Sequence, residues 1–422
     1  MPQLALRYIR RGAPFTELRE IINPTSKKLM IGVALNAIGG GMTLALLMVY
    51  LHDMRGFTNT FNGLLLSWGA IVSIAVSPLM GWLIDHIGPR PVMLSGIIFN
   101  GLSALSLAFV TTHIQAIIAL TILSAADQAV RPTQTVVLAR VSTAKAREKI
   151  FGYRFMFLNL GMGFGGLIGS LIIQEGSLPS FQAMYIVDAL TFFIYFFVTL
   201  SIKKSEMARH EPEGGKAGRG SYRELFSIRP IMLLGFGNVI LFIFGYGALQ
   251  AGIPIFATQF LHLSPKWLGI IFGANTFAIV LFQTSVMRYI ERFSKHKILI
   301  GIGLIWAASW ALVGISPAFP LFASGIAICI SQVIFAFGEM LQAPTIPALA
   351  NQLSPEHIRG RVNAWMSLQW TLSGVVGPAI CGLMLGANLG QQWALVMFIG
   401  CFLPIPIYLA MQRSLANYSP TK

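Results

Sequence analysis

The chain has 422 residues, of which 55% are hydrophobic and only 11% are charged, and its formal net charge is +15. A soluble domain has roughly 45–50% apolar and about 25% charged residues, so the composition excludes a soluble globular protein. Its three cysteines, Cys329, Cys381 and Cys401, lie inside apolar segments and show neither a metal-ligand spacing nor a disulfide framework.

Long apolar segments recur along the whole chain. A bilayer core of roughly 30 Å needs about 20 apolar residues as helix, because lipid offers no partner to backbone amides. The predicted spans 1 to 6 are 29–51, 62–84, 92–111, 114–138, 150–173 and 181–202. Spans 7 to 12 are 230–259, 266–290, 298–315, 320–349, 362–386 and 390–411. The sequence therefore predicts an all-α membrane protein with twelve transmembrane helices.

Five regions follow from this layout. They are an N-terminal segment (1–28), an N-half (29–202), a linker (203–229), a C-half (230–411) and a C-terminal tail (412–422). Residues 1–28 are polar and basic and lack the pattern of a cleavable signal peptide. The linker is rich in glycine and charge, so we expect a flexible segment or a short surface helix.

The positions of lysine and arginine predict the orientation. With the N-terminus in the cytoplasm, all but four of the 30 basic residues fall in cytoplasmic segments. The four are Arg55 and Lys266 outside, and Arg131 and Arg154 within spans. Cytoplasmic loops concentrate Lys and Arg, so we expect both termini in the cytoplasm of a multi-pass inner (plasma) membrane protein. Because the charge is dispersed over loops, we expect no nucleic-acid partner.

The two halves are weakly similar to each other. A shift of 212 residues places Asp127 on Glu339, and also aligns Pro132 with Pro344 and Gly165 with Gly377. The matches are sparse, and chance similarity between apolar segments is the alternative. Duplicated six-helix halves usually meet around a central site near the membrane midplane, which would place the two acids there.

A compact polar turn, "GWLIDHIGPRP", lies between spans 2 and 3. Gly81 would let two helices approach closely, and Gly88 would supply a tight turn. Asp85 would meet the positive end of a neighbouring helix or a basic side chain, and Arg90 would pair with a carboxylate or cap carbonyls. We interpret the turn as a latch that holds the cytoplasmic ends of the halves together in one state. The alternative is a solvated loop.

This turn resembles the loop between spans 2 and 3 of the major facilitator superfamily, whose pattern is roughly G-x-x-x-D-x-x-G-R-[RK]. Gly81, Asp85, Gly88 and Arg90 match, and Pro89 is inserted. With the twelve spans and the central linker, the resemblance covers essentially the whole chain. It implies a fold of two six-helix halves and a secondary transporter, which is not an enzyme.

Glycines in span 5 resemble the signature of drug–proton antiporters, G-x-x-x-G-P-x-x-G-G. Gly161, Gly165 and Gly169 match, whereas Gly166 replaces the proline and Ser170 replaces the last glycine. Ordinary close packing of helices would explain the same spacing.

Two acids lie within spans, where an ionisable residue is a functional candidate. Glu339 in span 10 resembles the acid of the same antiporter group that is taken to bind protons or cationic substrate. The alternative is a neutral carboxylic acid that bonds a neighbour. Asp127 in span 4 lies one turn before Arg131, so the two can pair. In one interpretation Asp127 takes up a proton and releases Arg131; in the other the two residues form a permanent ion pair. The antiporter group usually has an arginine earlier in span 4, at about the position where this chain has Leu120 or Thr121, and this chain lacks it.

Other polar residues within spans are weaker candidates. We expect Asp188 to lie shallow in span 6 and to reach outward, and Arg154 to reach the cytoplasmic interface. Candidate cavity residues are Asn36, Asn159, Gln250, Gln342 and Trp370.

Taken together, the sequence predicts a proton-coupled exporter of amphipathic small molecules, with Glu339 and Asp127 as titrating acids. Its partners would be a small-molecule substrate, protons and the bilayer, and we expect a monomer that uses no cofactor and no metal. The sequence contains no phosphate-binding motif, which argues against an ATP-driven pump. Uptake of a small metabolite, a lipid flippase and a non-transporting receptor are the alternatives.

Overall fold

The computed structural model describes residues 23–141, 144–207, 222–290, 292–355 and 358–415. Within these ranges the chain forms helices joined by short connections, with no strand. Eleven helices are long and apolar enough to cross a membrane, and the bent pair Pro24–Leu44 and Leu46–Met54 brings the number to twelve when counted as one span. The predicted all-helical membrane architecture is confirmed.

The helix boundaries lie within six residues of those predicted for the spans. The N-half spans 1 to 6 are Pro24–Val49 with a π-helical turn Tyr50–Met54, Asn59–Ile87, Pro89–Ala108, His113–Val141, Ala144–Ile172 and Leu178–Leu200. The C-half spans 7 to 12 are Arg229–Phe244 continued by Leu249–Ile255 and Phe256–Phe260, Lys266–Ile290, Lys295–Ile315, Leu321–Leu353, Arg359–Gly386, and Gly390–Gly400 continued by Pro404–Leu415. In the linker, Lys204–Met207 forms a 3₁₀ turn and Tyr222–Ser227 a short helix.

Local sequence explains where the first spans begin and end. The Asn23 side chain accepts a hydrogen bond from the Ser26 amide at 2.7 Å, and Pro24 follows as the first helical residue. Gly88 ends span 2 at φ +90°, a conformation that favours glycine, and Pro89 begins span 3. The tight turn expected at Gly88 is therefore present.

The two halves pack in the same pattern. In the N-half, span 1 contacts spans 5 and 6, span 3 contacts spans 4 and 6, and span 2 contacts span 4. In the C-half, span 7 contacts spans 11 and 12, span 9 contacts spans 10 and 12, and span 8 contacts span 10. Between the halves, span 2 packs on span 11 and span 5 packs on span 8. Span 2 of the N-half corresponds to span 8 of the C-half, and span 5 corresponds to span 11. The two contacts between the halves are therefore equivalent, as expected for a structural repeat.

The halves touch closely at one end of the bundle. We call the end that carries Pro24 and Leu415 the terminal face and the opposite end the far face. At the start of span 2, Gly63 packs against the backbone of Gly382 in span 11 without room for a side chain. Thr60 Oγ1 donates to the Gly382 carbonyl at 3.1 Å. These residues lie toward the far face, so the halves are in close contact there.

Apolar side chains cover the outer surface as well as the interior. Trp306, Trp310 and Trp393 are fully buried in the C-half, while Leu171 and Phe322 are 81% and 69% exposed. Soluble monomers rarely expose apolar surface on this scale, and a lipid environment accounts for it.

Candidate functional site

Glu339 lies in the middle of span 10 and is only 9% exposed. The Tyr246 hydroxyl donates to its Oε1, and the Asn275 side-chain amide donates to its Oε2 at 2.6 Å. Spans 7 and 8 supply these two neutral donors. Among the described residues no Lys, Arg or His side chain forms an ion pair with this carboxyl. The acid predicted from the sequence is therefore buried and bound by neutral groups.

Tyr246 reaches Glu339 from a break in span 7. The helix Arg229–Phe244 stops at Gly245 and resumes at Leu249. Gly245 packs against the Trp306 ring and Gly247 against the backbone of Gly377 in span 11, so neither position has room for a side chain. Non-helical backbone at membrane depth is tolerated only where protein or a cavity surrounds it, and such breaks mark binding sites in transporters.

Aromatic rings hold Tyr246 in place. Its ring centroid lies 4.6 Å from that of Trp370, 5.5 Å from that of Trp306 and 5.6 Å from that of Phe335. The three rings meet it edge-on, a favourable arrangement for aromatic pairs. This packing fixes the direction of the hydroxyl toward the carboxyl.

A cavity of about 200 Å³ lies beside Glu339, and we call it the central cavity. Its polar and aromatic lining includes Tyr246, Asn159, Gln283, Gln342 and Trp370. Asn159 comes from span 5 of the N-half, so both halves contribute. The structure thus brings three predicted cavity residues, Asn159, Gln342 and Trp370, to the predicted acid, whereas Gln250 is exposed and lines neither this cavity nor the one described next.

Asp127 occupies a different cavity, which we call the N-half cavity. It measures about 190 Å³ and is lined by Asp127, Arg131, Asn36, Thr43, Tyr185 and Asp188, among others. Arg131 Nη2 lies 3.0 Å from Asp127 Oδ2, and Asn100 donates to Oδ1 at 3.2 Å. The two acids related by the repeat therefore do not share a cavity, and only Asp127 has a cationic partner in the described structure.

The expectation that Asp188 lies shallow and reaches outward is wrong. Asp188 is the eleventh of 23 residues in span 6 and is only 4% exposed. Its Oδ2 accepts a hydrogen bond from Thr43 Oγ1 of span 1 at 3.0 Å. Span 6 begins at Leu178, earlier than predicted, and turns this residue toward span 1.

Comparison with known proteins decides the family. The family model described as Major Facilitator Superfamily matches residues 29–268 and 235–415. The chain belongs to the Major Facilitator Superfamily. A relative named quinolone resistance protein NorA, from Staphylococcus aureus, is 24% identical over 92% of this chain and 93% of its own. A second relative, named a Na⁺, Li⁺, K⁺/H⁺ antiporter, from Planococcus maritimus, is 21% identical over 89% and 94%.

A solved structure shares the fold. The nucleoside transporter NupG, in a D323A mutant form, superposes with a TM-score of 0.77 at 14% identity, covering 92% of this chain and 99% of that one. The family match, together with relatives that are themselves transporters, identifies the chain as a membrane transporter and not an enzyme.

The turn between spans 2 and 3 is only partly described, because the side chain of Asp85 is not among the described ones. Arg90 donates to the Leu200 carbonyl at the end of span 6, at 2.9 Å, so it caps a helix of its own half. Gly81 faces open space, and a Cβ there would meet nothing within 4 Å. The expected close approach at Gly81 is therefore absent in this conformation. The latch stays a hypothesis.

Span 5 uses its glycines for close packing on span 1. Gly161 meets Ala37, Gly165 meets the Ile38 carbonyl, and Gly169 meets Met42, each without space for a side chain. This contact lies within the N-half, so ordinary packing explains the spacing.

Arg154 does not reach the terminal face as expected. Its Nη2 donates to Gln134 Oε1 at 3.2 Å, and Gln134 in turn donates to the Tyr195 hydroxyl at 2.7 Å, inside the N-half.

In the parts of the chain that the structure describes, no group of three or more His, Cys, Asp or Glu side chains is arranged to hold a metal ion.

Proposed function

We propose that this transporter is a proton-coupled exporter of amphipathic small molecules, with Glu339 as its principal proton-binding residue. The observation that carries the proposal is the placement of Glu339: buried, bound only by neutral donors, and lining a cavity to which both halves contribute. An uncompensated charge inside the membrane is expensive, so a proton or a cationic substrate would neutralise this carboxyl in turn.

The proposed direction of transport is consistent with the proposed orientation. Lys and Arg concentrate on the terminal face, which supports a cytoplasmic location for that face and for both termini. The close contacts between the halves, such as Gly63 with Gly382, lie toward the far face. This conformation would then be closed to the outside, and substrate would enter the central cavity from the cytoplasm.

Coupling would arise because a proton and a substrate exclude each other at Glu339. A proton taken up from outside neutralises the carboxyl and is displaced when substrate arrives from the cytoplasm. Tyr246 and Asn275 donate hydrogen bonds to both oxygens of the carboxylate, which stabilise it in the interval between the two partners. Rocking of the halves about the central cavity would then carry substrate out and admit the next proton.

Amphipathic substrates suit the lining of the cavity. Trp370 and Phe155 offer half-exposed aromatic surface, while Gln283 and Gln342 supply hydrogen-bonding groups. Ligand sites commonly combine apolar walls with a few polar groups in this way. The names of the two relatives, one a quinolone resistance protein and one a cation/proton antiporter, support export and proton exchange.

The test is transport in liposomes that contain the purified protein. We expect a permanently charged lipophilic dye to accumulate in vesicles with an acidic interior, as protons leave in exchange, and a protonophore to abolish the accumulation. Protein-free vesicles give the passive background. Accumulation of an amino acid in vesicles with an alkaline interior, with no movement of dye, would instead identify an uptake system and overturn the proposal.

A further inference from the structure

The N-half cavity contains polar atoms that the described structure leaves without partners. Asn36 Oδ1, the Tyr185 hydroxyl and Asp188 Oδ1 are each buried and form no hydrogen bond there, and all three residues line the cavity. Buried polar groups are nearly always paired with protein or with water, so three such atoms at one cavity mark a place where a water molecule or a proton would complete the hydrogen bonding. Asn36 Oδ1 and an ionised Asp188 Oδ1 can only accept a hydrogen bond, whereas a protonated Asp188 can donate one.

Two acids line the N-half cavity, and Asp188 is the one that forms no ion pair in the described structure. Arg131 is paired with Asp127 at 3.0 Å on span 4. On span 5, Arg154 donates to Gln134. Span 3 brings Asn100, which is neutral and bonded to Asp127, and span 1 brings Thr43 and Asn36. Arg131 is the one cationic residue among the described residues that line this cavity, and its ion pair is with Asp127. Arg154 does not line the cavity, and no described cation forms an ion pair with Asp188.

We propose that Asp188 is a second proton-binding site, so that each half of the transporter carries one membrane carboxyl that exchanges a proton. A proton on Oδ1 turns the carboxyl into a donor and removes a buried charge that nothing else compensates. The proton passes between water and the carboxyl through the N-half cavity, with no change in any other bond. Asp127 is instead paired with Arg131.

The position of Asp188 connects this proton to helix packing. Its Oδ2 accepts from Thr43 of span 1, and its Oδ1 lies against Gly39 of the same helix, where a side chain would have no space. Gain or loss of a proton therefore alters a contact between spans 1 and 6. As a step in transport this inference rests on the proposed function, while proton binding itself does not.

Infrared spectroscopy of the purified protein tests proton binding directly. A protonated carboxyl shows a carbonyl stretch that a carboxylate lacks, and a pH titration follows it. We expect two components from buried carboxyls, one lost in Glu339→Gln and the other lost in Asp188→Asn. Asp127→Asn, the same change in the same cavity, retains both. Loss of the second component in Asp127→Asn, or its persistence in Asp188→Asn, would overturn the inference.

A milder variant keeps the test decisive if Asp188→Asn does not fold. Thr43→Val preserves the shape of the buried side chain and removes the hydroxyl that donates to Asp188 Oδ2. It shifts the frequency of the second component and leaves the Glu339 component in place. An unchanged second component would contradict the assignment to Asp188.

Proton release per dye, measured in the liposomes, separates this inference from the proposed function. We expect the ratio to fall by half in Asp188→Asn. If the wild type shows both infrared components but moves no dye, the proposed function fails and the second proton site stands. If dye moves with an unchanged ratio and the second component is absent, the second site fails and the exporter stands.

Discussion

Closure of the far face depends on polar contacts between the halves that substitution can remove. Asn59 at the start of span 2 and Gln259 near the end of span 7 exchange two hydrogen bonds: the Asn59 amide donates to Gln259 Oε1, and the Gln259 amide donates to Asn59 Oδ1 at 3.2 Å. A neutral hydrogen bond contributes roughly 0.5–1.5 kcal/mol. Asn59→Ala removes both, so it should destabilise the closed far face by about 1–3 kcal/mol. That free energy corresponds to a shift of about 5- to 150-fold between two conformations.

Spin labels on the far face measure this shift. Thr112 in the N-half and Ala387 in the C-half are exposed, and each can carry a label on an introduced cysteine after the native cysteines are replaced. Pulsed electron paramagnetic resonance then gives the distribution of distances between them. We expect Asn59→Ala to raise the ratio of long to short distances by the factor above.

The matched control is Gln391→Ala, which removes an exposed side-chain amide near the far face. It should leave the distance distribution unchanged. The same distribution in Asn59→Ala as in the wild type, or an equal shift in the control, would refute the reasoning that this amide pair helps close the far face.

Three further outcomes are expected. A cysteine introduced at Gly215 should resist an impermeant thiol reagent in intact cells, because the basic linker is expected in the cytoplasm, and ready labelling would overturn the orientation. Asp85→Asn should slow transport while dye binding, measured by fluorescence, stays close to that of the wild type, and unchanged transport would end the latch hypothesis. Gly165→Ala should destabilise the protein by about 1–3 kcal/mol, because the new methyl group meets the backbone of span 1. Gly40→Ala, which faces open space, should instead raise the stability by up to about 1 kcal/mol, and equal thermal unfolding of the two variants would contradict the packing.

The length and spacing of apolar segments were enough to predict the spans, because the bilayer dictates both. Composition could not reveal that span 7 is interrupted, since residues 230–259 read as one continuous apolar segment. The signal was local: Gly245 and Gly247 flank Tyr246, and glycines that interrupt an apolar segment are typical of broken transporter helices. With that signal, Tyr246 could have been named as a candidate.

The site residues divide according to the range of their contacts. Asp127 and Arg131 are one helical turn apart, so their pairing could be predicted from spacing alone, and the ion pair is present. Asp188 and Thr43 are 145 positions apart, and nothing in the sequence indicates that spans 1 and 6 bring them together. Asn275 was missed for the same reason, since it is 64 positions from Glu339.

The central claim is that Glu339 couples proton movement to transport, and the Glu339→Gln variant in liposomes tests it most directly. We compare accumulation of dye driven by a proton gradient with dye counterflow, which needs no net change in protonation. The control, Asp53→Asn, neutralises an exposed acid at the end of span 1 on the far face. We expect Glu339→Gln to abolish gradient-driven accumulation and to retain counterflow. The control should retain both. Full gradient-driven accumulation by Glu339→Gln would contradict the account.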